Sequence, residues 1–203
     1  MIEIGILNIQ GDVSEHYEIV KDVFKYLNID GKVLLVKNID DLKNLNGLII
    51  PGGESTTISK FLKKNDLIDI IKNLVNSNDL GIMGTCAGAI VISKNTGDSR
   101  VDTLGLLDIN IKRNAYGRQY SSFQANLNIK GFNSQFPAVF IRAPIIEVIN
   151  DPTIEILSIY KKDIVFVQKN KTFALTFHPE LTNDIRIHKL FIEGVGGISD
   201  GKF

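Results

Sequence analysis

Cysteine is nearly missing from this chain, and that scarcity sets the first bounds. With one cysteine in 203 residues, Cys86, no internal disulfide can form, and no cysteine-ligated metal cluster can be built from this chain alone. A reducing, cytoplasmic setting is expected. Net charge is missing too: 23 Lys+Arg balance 23 Asp+Glu, leaving no bulk field to hold a nucleic-acid backbone or an anionic membrane. No apolar run approaches the roughly 18 residues of a membrane span, and the opening Met1-Ile2-Glu3-Ile4 lacks the basic start of a signal peptide. Neither nucleic acid nor membrane is an expected partner. What remains, 44% hydrophobic and 23% charged, is a globular composition, and residues 1–203 are expected to fold as one domain.

Periodicity divides the chain into two styles. In the first half, apolar β-branched runs at Ile2 to Asn8, Lys32 to Val36, Gly47 to Ile50 and Leu80 to Met83 read as strands. Helical spacing follows them, as in Val13, Tyr17, Val20, Phe24 and Leu27 after the Gln10-Gly11-Asp12 break, in a stretch from about Ser55 through Val75, and in Ala87 to Ser93. Short, wholly apolar strands separated by helices predict a parallel sheet covered on both faces. From Leu104 the style changes. Strands are expected at Leu107 to Lys112, Ser122 to Ile129, Ala138 to Ile141, Ile145 to Ile149, Ile154 to Tyr160, Ile164 to Gln168 and Thr172 to Phe177. Turns such as Lys161-Lys162-Asp163 leave no room for crossover helices, so antiparallel or mixed pairing is expected there. A last helix spans about Asn183 to Glu193, and the glycine-rich tail 194–203 is expected to fray.

Chemistry concentrates at a few places. Gly84-Thr85-Cys86-Ala87-Gly88 puts the only thiol at a strand-to-helix junction with a glycine two residues away on each side, the pattern of a nucleophile elbow. A helix N-terminus there offers N–H groups and partial positive charge, both favouring an anionic sulfur. A structural cysteine beside a glycine turn is the alternative. Of the three histidines, His16 and His188 fall within helices and are expected to be partly solvated. His178 instead ends a strand and opens His178-Pro179-Glu180, where an extended residue before proline keeps the Glu180 carboxylate near the ring. A carboxylate on one ring nitrogen fixes the tautomer and leaves the other for a thiol. Pro51-Gly52-Gly53-Glu54-Ser55-Thr56-Thr57 leaves a strand directly and offers backbone donors from Gly52 and Gly53 to an oxyanion or an amino acid. It lacks the spacing of a phosphate loop, and Glu54 would repel phosphate. Arg113 and Arg142 stand at strand ends, where an arginine clamps a carboxylate or forms an ordinary surface ion pair.

Taken together, Gly84-Thr85-Cys86-Ala87-Gly88 and Phe177-His178-Pro179-Glu180 resemble the class I, triad-type glutamine amidotransferases. The segments Pro51 to Thr57, Arg113 to Arg118 with Gln119, and Phe140 to Pro144 are similar to the glutaminase subunits of two-component pyridoxal 5'-phosphate synthases, and the last two turn the reading away from the glutaminase of histidine biosynthesis. The resemblance implies an α/β three-layer sandwich, flavodoxin-like, with a mostly parallel central sheet and added antiparallel strands. It implies hydrolysis of L-glutamine through a thioester on Cys86, with His178 and Glu180 completing the triad, and delivery of ammonia to a synthase subunit. It also implies glutamine contacts from Gly53, Glu54, Ser55, Arg113, Ile141 and Arg142. Oxyanion donors would come from Ala87 with Gly52 or Gly53, and no cofactor or metal is needed. The alternatives are a stand-alone γ-glutamyl amide hydrolase and a non-enzymatic thiol sensor on the same fold.

Overall fold

The structure is a computed structural model and describes residues 1–113, 115, 122–201 and 203. Its elements are β1 (Ile2–Leu7), α1 (Val13–Leu27), β2 (Gly31–Val36), β3 (Gly47–Ile50), α2 (Ser55–Lys64), α3 (Leu67–Asn76), β4 (Gly81–Thr85), α4 (Ala87–Ile92) and β5 (Ser93–Asn95). The second half adds β6 (Leu107–Lys112), β7 (Ser122–Leu127), β8 (Phe136–Ile141), β9 (Ile145–Ile149), β10 (Glu155–Tyr160), β11 (Asp163–Lys169), β12 (Thr172–Leu175) and α5 (Arg186–Gly196).

The central sheet runs β2-β1-β3-β4-β12-β11-β9-β6-β5, with β10 also paired to β11. Its first five strands are mutually parallel. The antiparallel portion begins at β11 and continues through β9 to β6. Each face buries its own apolar set, because alternate residues of a strand point to opposite faces. Leu48 and Ile50 join Ile58, Leu62 and Ile71 under α2 and α3, whereas Ile49 joins Val20, Val23 and Phe191 under α1 and α5. Helix, sheet, helix is the three-layer architecture expected of the pattern.

The structure refines the sequence reading at several places. The single helix expected from Ser55 to Val75 is broken at Asp66, whose φ of 55° is left-handed, a conformation Asn and Asp tolerate better than other side chains. The mixed pairing allowed for the second half is found at β12, which is antiparallel to β11 and parallel to β4, residue for residue from Thr172↔Ile82 to Leu175↔Thr85. That pairing lays the end of β12 beside the elbow. Strands β7 and β8 form a separate hairpin.

Described residues of the tail, which was expected to fray, pack back on the fold. Helix α5 runs on to Gly196 and is closed by Gly197 at φ 63°, where glycine carries no left-handed penalty. Asp200 then pairs with Lys189, its N–H donates to Glu193 Oε1 at 2.8 Å, and Phe203 stacks on Phe132 with ring centroids 5.4 Å apart. A buried lysine gives the polar tail a reason to return, since an uncompensated charge there would be costly.

Candidate active site

Strand β4 runs out at Thr85, and the chain must enter α4 at once. Cys86 occupies that corner with φ 48° and ψ −104°, a left-handed strain for a residue with a Cβ. Both flanking glycines are sterically required. A Cβ on Gly84 would lie 2.6 Å from the Gly88 backbone, and one on Gly88 would lie 2.0 Å from the Ile50 carbonyl oxygen. Strand β3, strand β4 and helix α4 therefore approach more closely than any side chain permits, and the thiol is thrust out at their junction. The Sγ donates toward the Ile141 carbonyl oxygen at 3.7 Å.

His178 arrives from the next strand over. Its N–H donates to the Val139 carbonyl at 2.8 Å, an isolated bridge that ties the β12 exit to the β7-β8 hairpin. Pro179 then opens a short 3-10 turn, Pro179–Leu181, that brings Glu180 back under the ring. The Nδ1–H donates to Glu180 Oε1 at 2.7 Å and faces Asp12 Oδ2 at 3.0 Å. Its other partner is Cys86, whose hydrogen bond helps hold the proton on the ring. Burial opposes charging His178, but Asp12, Cys86 and Glu180 overcome it and push the pKa up to about 12. Asp12 is held below the usual carboxylate range, chiefly by its hydrogen bond to His178. Glu180 is raised to about 7, because its complete burial outweighs the attraction of the ring. The convergence of Asp12, His178 and Glu180 is that of two acceptors on one ring N–H.

Cys86, His178 and Asp12 face a cavity of about 300 Å³, roughly ten water volumes and roomy enough for a free amino acid. Its wall takes in Cys86, Ala87, His178, Gly53, Glu54, Ser55, Arg113, Ile141 and Arg142, so most of the expected contacts surround one space. Two candidates stand just outside it. Glu180 lies behind the ring, and Gly52 lies beneath it, where a Cβ would come 2.5 Å from His178 Cε1. Arg113 is already engaged, pairing with Glu54 at 2.7 Å and with Asp98. Ser55 Oγ is buried with no hydrogen-bond partner among the described residues. Arg142 is exposed at the rim with φ 44°. The expected Arg113 to Gln119 segment falls largely outside the described residues.

The sequence reading misplaced two histidines and missed one acid. His16 and His188 are not solvated; both are fully buried and bonded to each other, Nδ1 to Nε2, at 2.9 Å. Each lies on the apolar stripe of its helix, with Val20 and Val23 following His16 and Phe191 and Ile192 following His188, and that spacing was the available signal. Asp12 was passed over as part of a turn.

Comparison with known proteins agrees with this geometry. Residues 6–196 match the model of the SNO glutamine amidotransferase family. The chain is 46% identical to the pyridoxal 5'-phosphate synthase subunit PdxT of Picrophilus torridus, covering 97% of this chain and 100% of that one. It is 47% identical to the subunit of the same name from Methanosphaera stadtmanae, covering 95% and 96%. A solved structure described as "Crystal structure of glutamine amidotransferase" superposes with a TM-score of 0.85 at 39% identity, covering 95% of this chain and 98% of that one. With a thiol, an imidazole and a carboxylate at one cavity and relatives matched over nearly their whole length, the chain belongs to the SNO glutamine amidotransferase family.

Proposed function

We infer that the protein hydrolyses the side-chain amide of L-glutamine and hands the ammonia to a pyridoxal 5'-phosphate synthase subunit. The observation that carries this reading is the strained Cys86 beside an imidazole held by carboxylates on its far side, with thiol and ring lining one cavity. Cys86 sulfur attacks the amide carbon while His178 keeps the thiol proton. Charge developing on the amide oxygen is met by the Ala87 N–H and a glycine amide of Gly52-Gly53. The C–N bond breaks as the imidazolium protonates the departing ammonia, leaving a γ-glutamyl thioester. Water then attacks the thioester, His178 takes its proton, and glutamate leaves with the sulfur restored. Glu180 fixes the ring throughout. Arg113 and Arg142, with Glu54, Ser55 and the Ile141 backbone, hold the α-amino and α-carboxylate groups. The reaction needs no cofactor, and the single free thiol supports a cytoplasmic location.

The oxyanion loop rests against a second loop, which supports partner control. A Cβ on Gly11 would lie 1.9 Å from the Gly52 carbonyl oxygen, and Gly53 packs beside the Gln10 side chain. Docking of the synthase on Gln10-Gly11 and the Pro51 to Ser55 turn would therefore be felt at the donors. The test is ammonia release from glutamine with and without the synthase, together with mass analysis of Cys86. A thioester on Cys86 and faster release with the synthase are expected. Equal rates would remove the gating, and unaltered activity in Cys86→Ala would remove the mechanism. Full turnover of γ-glutamyl peptides without a partner would favour a stand-alone hydrolase.

A further inference from the structure

All three histidines of the chain lie in one line behind the thiol. His188 on α5 touches His16 on α1 at 2.9 Å; His16 Nε2 lies 3.2 Å from Thr85 Oγ1 and 3.4 Å from Glu180 Oε2; and Glu180 Oε1 holds His178. The hydrolysis described above uses neither His16 nor His188, yet both are fully buried.

Their tautomers follow from counting donors. His188 Nδ1 is buried with no partner among the described residues. A lone pair left there costs less than an unpaired N–H, so its proton belongs on Nε2 and is donated to His16 Nδ1. His16 must then carry its own proton on Nε2, aimed at Thr85 Oγ1 and Glu180 Oε2. The same answer comes from the other end: Glu180 Oε2 is a buried acceptor without a hydrogen bond, and an imidazole lone pair 3.4 Å from it would repel it.

We propose that His16 and His188 act as a tautomer lock on Glu180, two neutral imidazoles whose N–H groups point in sequence toward the carboxylate and keep it an acceptor for His178. Placing a proton on Oε2 and donating it to His16 would require His16 to carry its hydrogen on Nδ1 and His188 on Nδ1, where no group among the described residues accepts it. The lock thus resists the protonated, non-orienting form of the acid. Burial supports neutrality of both rings, holding His16 well below its ordinary value and lowering His188 to about 3. The groups that bear on Glu180 are His178 and Asp12 at its front, His16 with His188 behind, and Glu15, Glu18 and Asp22 of α1, which share a surface cavity with it. Burial, with the nearby Asp12 carboxylate, favours protonation of Glu180, which gives the lock something to oppose. His16 and His188 are positioning residues, and the proposal rests on Glu180 orienting His178.

Two measurements test it on the full chain. Long-range 1H–15N NMR of the histidine rings in the unaltered protein should show His16 and His188 both as Nε2–H; an Nδ1–H on either ring overturns the proposal whether or not glutamine is a substrate. Glutamine hydrolysis with the synthase added should, in His16→Leu, move the acidic limb of the kcat/KM profile up by about one pH unit, roughly tenfold in rate below the limb and little above it. His16→Gln, which keeps a donor near the Nε2 position, should restore most of that limb. A loss in His16→Leu that is uniform across pH, or one that His16→Gln does not relieve, marks a packing role and refutes the lock. If the unaltered protein hydrolyses no glutamine, the function fails while the NMR result still decides the tautomers.

Discussion

Buried neutral histidines make the fold sensitive to acid by an amount that can be calculated. His188 takes a proton near 6.5 in the unfolded chain, whereas in the fold burial holds it off until about 3. Between those values the unfolded state binds one more proton, so this part of the stability is present above 6.5 and is lost as the pH falls. Integrating from pH 7.5 to 5.0 gives a loss of about 2 kcal/mol from His188 alone. Glu180 works in the opposite sense. Its pKa is raised from 4.5 to about 7, so the folded state holds the extra proton in that window and its contribution grows with acidity. The wild-type curve mixes these with His16, which acts in the sense of His188, and His178, which acts in the sense of Glu180, and a difference between variants isolates His188.

The informative variant is His188→Gln, which keeps a polar group beside His16 and removes the titration. Urea unfolding followed by circular dichroism at pH 7.5 and 5.0 should show wild type losing about 2 kcal/mol more than the variant over that interval. With a denaturant slope of about 2 kcal/mol/M, the midpoints should differ by about 1 M. The variant will be less stable at neutral pH, and that offset does not enter the comparison. Parallel pH curves for the two proteins would mean that His188 is charged or reaches solvent in the fold, and the reasoning from burial would fail.

Three other outcomes are expected. Cys86→Gly should abolish ammonia release while raising stability by about 1 kcal/mol, because glycine relieves the φ of 48°; a clear loss of stability on thermal unfolding would deny the strain. Gly88→Ala should cost about 3 kcal/mol or prevent folding, since its Cβ would meet the Ile50 carbonyl oxygen at 2.0 Å, and a native melting curve would show that α4 can retreat. Asp12→Asn should lower the pKa of His178 by removing one of two carboxylates from Nδ1, bringing the alkaline limb of the pH–rate profile down, while Glu180→Gln should reduce kcat about 100-fold or more. Equal losses in the two variants would mean that the two acids are equivalent.

The elbow was legible because its constraint is local. Gly84 and Gly88 flank Cys86 in sequence, and the close approach that requires them is to the adjoining helix and the neighbouring strand. His178-Pro179-Glu180 was legible for the same reason, as a ring and an acid two residues apart remain in reach through a turn as well as through extended chain. The placement of β12 was not. Turn spacing reports which strands are joined by hairpins but not that β12 would insert between β4 and β11, and it is this non-local pairing that lays His178 beside Cys86.

His16 shows a different limit. Its position on the apolar stripe of α1 was visible, but residue type argued for solvent, and the type was the weaker guide. A buried imidazole is tolerable only with partners, and the partners of His16 are His188, Thr85 and Glu180, at separations of 172, 69 and 164 residues. No window of sequence contains them. A polar residue at a position where helical spacing demands an apolar one is therefore a statement that a partner exists elsewhere in the chain. Here that search ends on the Glu180 carboxylate that holds the His178 ring, so the misfit in the helical pattern was itself a pointer to the candidate site.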